Sequence, residues 1–240
     1  MNAIEIKGLT KRYQDILAVD GLDLTVKEGE LFALLGVNGA GKSTTIRMLC
    51  GLSAPTEGDA LLGGKSILSE MADIKRMIGV SPQETAIAPN LTVLENLQLL
   101  AGIYGHSKAE ADTQITQIAN DLGLSDILKQ RAGKLSGGYA RRLSIALALL
   151  GKPSILFLDE PTLGLDVIAR SELWELIGKL KHNTTIILTT HYMEEAERLS
   201  DRIGIMKNGR LLAVGTAEEL KEKAGEERFE DAFVRIVKEG

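Results

Sequence analysis

The chain has 240 residues, 44% of them hydrophobic and 25% charged, ordinary values for a globular protein able to bury a sizeable core. A net charge of −5 argues against a protein that coats nucleic acid, which needs an electropositive footprint, so no nucleic-acid partner is expected. One cysteine, Cys50, excludes an internal disulfide framework and reads as a small buried apolar residue. The longest apolar run, Ile145 to Gly151, falls far short of the roughly 20 residues that span a bilayer, and Met1 to Lys7 lacks the regions of a secretory signal. The chain is therefore expected to be cytoplasmic and soluble by itself, meeting a membrane only through a partner.

Along the chain, Ile4-Glu5-Ile6 and Leu22 to Val26 alternate apolar and polar residues, as half-exposed antiparallel strands do, with Asp20-Gly21 as the expected turn. Leu31 to Leu35 is continuously apolar and reads as a buried parallel strand. It runs into Gly36-Val37-Asn38-Gly39-Ala40-Gly41-Lys42-Ser43, the P-loop pattern, and Thr44 to Leu49 then opens an amphipathic helix. Strand, loop and helix thus occur in the order that a phosphate cradle needs. Glycines let the backbone turn its N–H groups inward, and the helix adds its positive dipole end. Gly36, Asn38, Gly39, Ala40, Gly41, Lys42, Ser43 and Thr44 form the expected binding set for a nucleoside triphosphate. Lys42 can reach the β- and γ-phosphates, and the Ser43 hydroxyl suits Mg²⁺, a hard cation that takes oxygen ligands. By accident the bare pattern would occur in a chain of this length on the order of a few per cent of the time, and its strand and helix context lowers that further.

From Gln83 to Gly151 the periodicity is helical, with Val93 to Tyr104 and Ala109 to Leu122 as expected helices and no confident strand. Within it, Leu135-Ser136-Gly137-Gly138-Tyr139 opens another helix with a hydroxyl and exposed backbone N–H groups, a second phosphate-directed N-terminus. One nucleotide hardly needs two such sites from one chain. The economical arrangement is two copies paired head to tail, each P-loop facing the other copy's Ser136, Gly137 and Gly138.

Ser154 to Leu158 and Thr185 to Thr189 read as central parallel strands separated by a helix from about Val167 to Lys181. The first ends in Asp159-Glu160-Pro161. Consecutive strand side chains point in opposite directions, so the two carboxylates can divide the work: Asp159 on Mg²⁺, Glu160 on the water that attacks the γ-phosphate. Ile203 to Met206 and Arg210 to Val214 flank Lys207-Asn208-Gly209, a strong hairpin signal. The tail from Ala217 to Gly240 is charge-rich but carries Phe229, Phe233, Val234 and Ile236, so it is expected to dock as helix. No internal repeat is evident.

These residues resemble the ATP-binding subunits of ABC transporters over essentially the whole chain. The resemblance implies an α/β fold, a P-loop NTPase core with an antiparallel β layer and a helical insertion. It divides one domain, 1–240, into a core at 1–83 and 151–215, a helical subdomain at 84–150 and a helical tail at 216–240. It implies ATP and Mg²⁺ as cofactors, a second copy or close paralogue as partner, and a separate integral membrane permease that holds the chain to the inner face of the membrane. Gln83 resembles the glutamine that contacts Mg²⁺ and links the site to the permease. Leu163-Gly164-Leu165-Asp166 looks like the loop whose Asp166 communicates across the dimer. His191, after Thr189-Thr190, looks like the switch histidine on the γ-phosphate, and Tyr13 sits where the family places an aromatic ring against adenine. Tyr139 stands where many members have Gln, and Val167-Ile168 where proline is common; neither removes a group that the chemistry needs. Arg141-Arg142-Leu143, the phrase Thr190 to Ala196 and Phe229 to Phe233 look most like bacterial exporter ATPases for drugs, ions or lipids. The rival is a soluble ABC-type switch in DNA repair, translation or cofactor assembly; the long coiled-coil arms or paired ATPase units common there are not seen. A GTPase is disfavoured because no Asn-Lys-x-Asp segment occurs.

Other residues receive bland readings. His106 and His182 have no assigned role, Trp174 is a packing residue, Glu194 and Glu195 favour a helix dipole, and Lys221 to Lys223 form a solvated face.

Overall fold

In the computed structural model, which describes residues 1–181 and 184–240, the elements run β1 (Asn2–Tyr13), β2 (Ile16–Lys27), β3 (Leu31–Gly36), α1 (Lys42–Leu49), β4 (Glu57–Leu62), β5 (Lys65–Ser66), α2 (Met71–Met77) and β6 (Ile78–Ser81). They continue through α3 (Val93–Ile103), α4 (Lys108–Asp121), two short 3-10 turns, α5 (Gly137–Leu149), β7 (Ile155–Asp159), α6 (Val167–Leu180) and β8 (Thr185–Thr190). The chain ends with α7 (Met193–Leu199), β9 (Arg202–Lys207), β10 (Arg210–Gly215), α8 (Ala217–Ala224) and α9 (Phe229–Glu239). His182 lies outside the described residues. Two compact units result: Met1–Arg76 with Lys181–Gly240, and Met77–Leu180.

In the first unit, β3 pairs in parallel with β8 on one side and with β9 on the other, and β9 turns antiparallel into β10. Every residue of β3 and of β8 is buried, as the unbroken apolar or β-branched runs require when both faces are covered. Each fully buried Leu or Ile there contributes about 1.5–3 kcal/mol of transfer free energy. A second, antiparallel sheet has the order β2-β1-β4-β5. Its first hairpin turns at Gln14-Asp15, where Gln14 takes φ 50° and Tyr13 faces Ile16, and not at Asp20-Gly21. Gly21 instead lies inside β2 at φ 57°, next to the register irregularity between Leu9 and Lys11. A long strand absorbs that irregularity as a bulge, which sequence alone reads as a turn.

The expected hairpin at Asn208-Gly209 is present: Lys207 faces Arg210, with both turn residues at positive φ, 49° and 80°. This backbone twist matches the strands, and Asn-Gly tolerates it. In α9, Phe229, Ala232, Phe233 and Ile236 are buried at i, i+3, i+4 and i+7, so the tail docks through one helical stripe. Val234 falls on the opposite face and is exposed, contrary to its expected place among the docking residues.

In the second unit, β6 and β7 pair in parallel. Helices α3 and α4 each begin with a complete capping box, Thr92 with Glu95 and Ser107 with Glu110. Buried Leu143, Ile145, Ala146 and Leu147 give α5 its apolar side. Trp174 is buried on α6 with the Arg170 guanidinium 5.5 Å from its ring centre, and His106 Nε2 lies 3.2 Å from the Leu150 carbonyl oxygen. Both side chains are accounted for by packing. The short strands β4 and β6 and the helix α2 lie outside the sequence reading.

Candidate functional site

In the first unit the P-loop leaves the carboxyl end of β3 and closes into α1. Gly41 is the N-cap of that helix, with φ 103° and no side chain to close the helix end. A β-carbon on Gly41 would stand 2.5 Å from the Ala18 carbonyl oxygen, and one on Gly36 2.5 Å from the Met206 carbonyl oxygen, so both positions exclude any larger residue. Lys42 is buried, and its Nζ donates to the carbonyls of Gly36 at 2.7 Å and Val37 at 3.3 Å, which folds its ammonium over the loop. Val37, Asn38 and Gly39 are exposed at the loop's tip, whereas Ala40 is buried. Ser43 and Thr44 are half-buried in the helix's first turn.

Two other segments support the loop from behind. The Gly209 N–H donates to the Ala40 carbonyl at 3.0 Å, and the Gly209 carbonyl accepts from the Asp20 N–H at 3.0 Å. Asp20 in turn pairs with Arg210 at 2.6 Å. Sequence reasoning found the Asn208-Gly209 turn but not its service to the P-loop; nothing local in the sequence signals a contact so distant along the chain.

His191 follows β8 directly, and the β3–β8 register pairs Leu35 with Thr190. Gly36 and His191 therefore leave the same end of adjacent parallel strands, the end where α/β sheets place ligands. The His191 ring lies against Tyr192, centroids 4.1 Å apart, and the Tyr192 N–H donates to Thr190 Oγ1. Tyr13 is exposed on β1, its hydroxyl 3.2 Å from Ser53 Oγ, with Lys11 Nζ 4.9 Å from the ring centre.

In the second unit the β6–β7 register pairs Ser81 with Leu158, so Gln83 and the Asp159-Glu160 pair also leave one end of two parallel strands. Asp159 and Glu160 are both buried, and Glu160 holds a left-handed backbone at φ 47°. A non-glycine residue in that conformation costs free energy and concentrates at functional positions. Gln83 is exposed.

Ser136 is the N-cap of α5 and accepts from the Tyr139 N–H at a long 3.5 Å. Its own hydroxyl hydrogen is left to donate outward, beside the exposed Gly137 and half-buried Gly138. A β-carbon on Gly138 would lie 3.2 Å from Ala169 Cβ, so this glycine lets the start of α5 approach α6 closely. Asp166 caps α6, its Oδ1 accepting from the Ile168 and Ala169 N–H groups at 2.9 Å each. Its carboxylate thus has a structural task at the helix start.

The residues expected on the metal, Ser43, Gln83 and Asp159, offer a hydroxyl, an amide oxygen and a carboxylate. Among the described residues no group of three or more His, Cys, Asp or Glu gathers into a cation site. Hydroxyl, amide and carboxylate oxygens are each donor types that Mg²⁺ takes beside waters and phosphate oxygens. Among the described residues no helix is long and apolar enough to cross a membrane.

Comparison with known proteins places the chain in a family. Residues 19–163 match the family model described as ABC transporter. The probable multidrug ABC transporter ATP-binding protein YbhF of Escherichia coli is 40% identical over 240 residues, covering 98% of this chain and 41% of that protein. The daunorubicin/doxorubicin resistance ATP-binding protein DrrA of Streptomyces peucetius is 43% identical over 224 residues, covering 93% of this chain and 68% of the relative. The chain thus spans less than half the length of YbhF. Among solved structures, an ATP-binding subunit of an ABC transporter superimposes with a TM-score of 0.85 at 30% identity, over 98% of this chain and 99% of that one. The dimeric post-hydrolysis cassette MJ0796 bound to ADP and Pi gives 0.80 at 29% identity, over 89% and 98%. With its P-loop, its second glycine-led helix start and its buried carboxylate pair, this chain belongs to the ABC transporter family, as one of that family's ATPase domains.

Proposed function

We propose that the chain hydrolyses MgATP as a head-to-tail dimer, with a second copy or a close paralogue. Hydrolysis powers export of a small molecule, ion or lipid through a separate integral membrane permease, which holds the chain at the inner face of the membrane. The observation that carries this reading is the pair of phosphate-directed helix starts on one chain, Gly41 before α1 and Ser136 before α5. A single triphosphate is served by one such cradle, so the second is there for a nucleotide on another copy. The dimeric form of MJ0796 supports the pairing, and the names of YbhF and DrrA support export of drug-like cargo.

In this reading the P-loop amides and Lys42 bind the phosphates, and Tyr13 lies against the adenine. Ser43, Gln83 and Asp159 would hold Mg²⁺, which supplies charge neutralisation at the phosphate oxygens. Glu160 orients the attacking water and takes up its proton, while His191 contacts the γ-phosphate. Ser136, Gly137 and Gly138 donate to the γ-phosphate of the other copy, and Asp166 lies where the copies meet. To move the dimer from 1:99 to 99:1 closed, ATP must favour the closed state by about 5.5 kcal/mol, within reach of several charge-assisted hydrogen bonds.

The test is light scattering of the purified Glu160→Gln chain, in which hydrolysis does not drain the ATP-bound state, with MgATP and with MgADP, beside co-purification of the parent chain from membranes. Dimerisation with MgATP alone and recovery of an integral membrane protein are expected. A chain that stays monomeric with MgATP, or emerges only in a soluble complex, would sink the transporter reading.

A further inference from the structure

Arg141 is buried on α5, five residues beyond Ser136, and its two terminal nitrogens donate to two consecutive backbone carbonyls: Nη1 to Pro82 and Nη2 to Gln83, each at 2.7 Å. One turn further along α5, Ser144 Oγ lies 2.8 Å from Ser81 Oγ in a buried contact. The start of α5 is thereby fixed to the segment that carries Gln83. The planar guanidinium fork meets two acceptors at once, and a lysine ammonium cannot reproduce that geometry.

The geometry points to Arg141 as a positioning residue that makes Gln83 and Ser136 move as one body. Resting on the dimer reading above, Gln83 attends the nucleotide of its own copy and Ser136 that of the other. The Arg141 fork then ties occupancy at one P-loop to the donors offered to the second. It touches neither nucleotide. Its effect falls on the free energy that couples two ligands, and leaves each ligand's affinity for its own cradle unchanged.

The experiment uses the full chain carrying Glu160→Gln as parent, compared with Arg141→Met and Arg141→Lys in the same background. Three readouts are taken: thermal melting, MgADP affinity of the monomer, and the protein concentration at the midpoint of MgATP-dependent dimerisation. Arg141→Met should keep MgADP affinity within about twofold and raise the dimerisation midpoint about tenfold, with Arg141→Lys in between. A parental midpoint in Arg141→Met overturns the proposal. So does a joint loss of MgADP affinity and dimerisation, which a merely structural arginine would give. If Arg141→Met does not fold, Arg141→Lys decides: a raised midpoint with retained MgADP affinity supports the coupling, and a parental midpoint overturns it. Failure of the parent itself to dimerise with MgATP removes the dimer reading and this proposal with it, and is distinguished by occurring before any change at Arg141.

Discussion

The Gly209 amide donates to the Ala40 carbonyl at 3.0 Å, so the turn of a late hairpin holds the middle of the phosphate loop. Within the loop the Ala40 N–H donates to the Val37 carbonyl at 3.1 Å, while the Ala40 carbonyl is satisfied from another element. Preorganisation of this kind removes an ordering cost from nucleotide binding.

Gly209→Ala tests that support. At φ 80° a side chain is strained, and its β-carbon would lie 3.0 Å from the Ala18 carbonyl oxygen. A cost of about 1–3 kcal/mol is expected, which in a chain of this size lowers the melting temperature by several degrees. Calorimetric titration should also show MgATP affinity reduced by about tenfold, since about 1.4 kcal/mol of loop ordering must then be supplied on binding. Asn208→Gly, which suits φ 49°, should leave affinity unchanged. Reduced stability with parental affinity would show that the hairpin is not a support of the loop.

Glu160→Gln keeps the size of the side chain and its left-handed backbone while removing the base. MgATP binding should persist, the ATP-bound dimer should accumulate, and phosphate release should fall by about 10²–10⁴-fold. Single-turnover assays with excess protein separate chemistry from product release. Turnover near the parental rate would take Glu160 out of the catalytic role.

Ser136 combines two tasks, and two substitutions separate them. Ser136→Ala removes the cap and the outward hydroxyl, costing about 1 kcal/mol of stability and weakening MgATP-dependent dimerisation. Ser136→Asp restores a good cap and so the melting temperature, but sets a carboxylate against the other copy's phosphates and should block closure. A Ser136→Asp chain that dimerises with MgATP like the parent would contradict a role across the dimer.

The P-loop, the carboxylate strand and the second helix start were legible because each is a local pattern with its own chemistry. The continuous apolar run Leu31 to Leu35 announced a strand buried on both faces, and β3 is one. Asp20-Gly21 misled because a bulge inside β2 and a hairpin turn ask for the same residue types, and only the partner strand distinguishes them. Ser81, at the end of a four-residue strand, carries too little periodicity to register, yet its register beside Leu158 brings Gln83 and the carboxylates to one end. Arg141 read as part of a family phrase; its fork on Pro82 and Gln83 depends on contacts about sixty residues apart, which no sequence period encodes.

The capping boxes of α3 and α4 contribute to the acid response of the helices they open. Glu95 accepts from the Thr92 backbone N–H at 2.7 Å and from its hydroxyl at 2.8 Å, and these bonds, the backbone one first, hold its carboxyl below the usual value of 4.5. Glu110 is lowered in the same way, by the Ser107 hydroxyl first and then the Ser107 N–H. A carboxyl depressed in the folded state adds stability that is complete above the unfolded value. That stability is lost as pH falls from there through the folded value. Glu95→Gln with Glu110→Gln keeps an acceptor at each N3 position but removes the titrating charge. The double variant should melt slightly below the parent at pH 7 and show a shallower fall in melting temperature as pH drops below 4.5. Circular dichroism melts across that range check it; parallel curves for variant and parent would mean that the two boxes do not contribute to the acid limb.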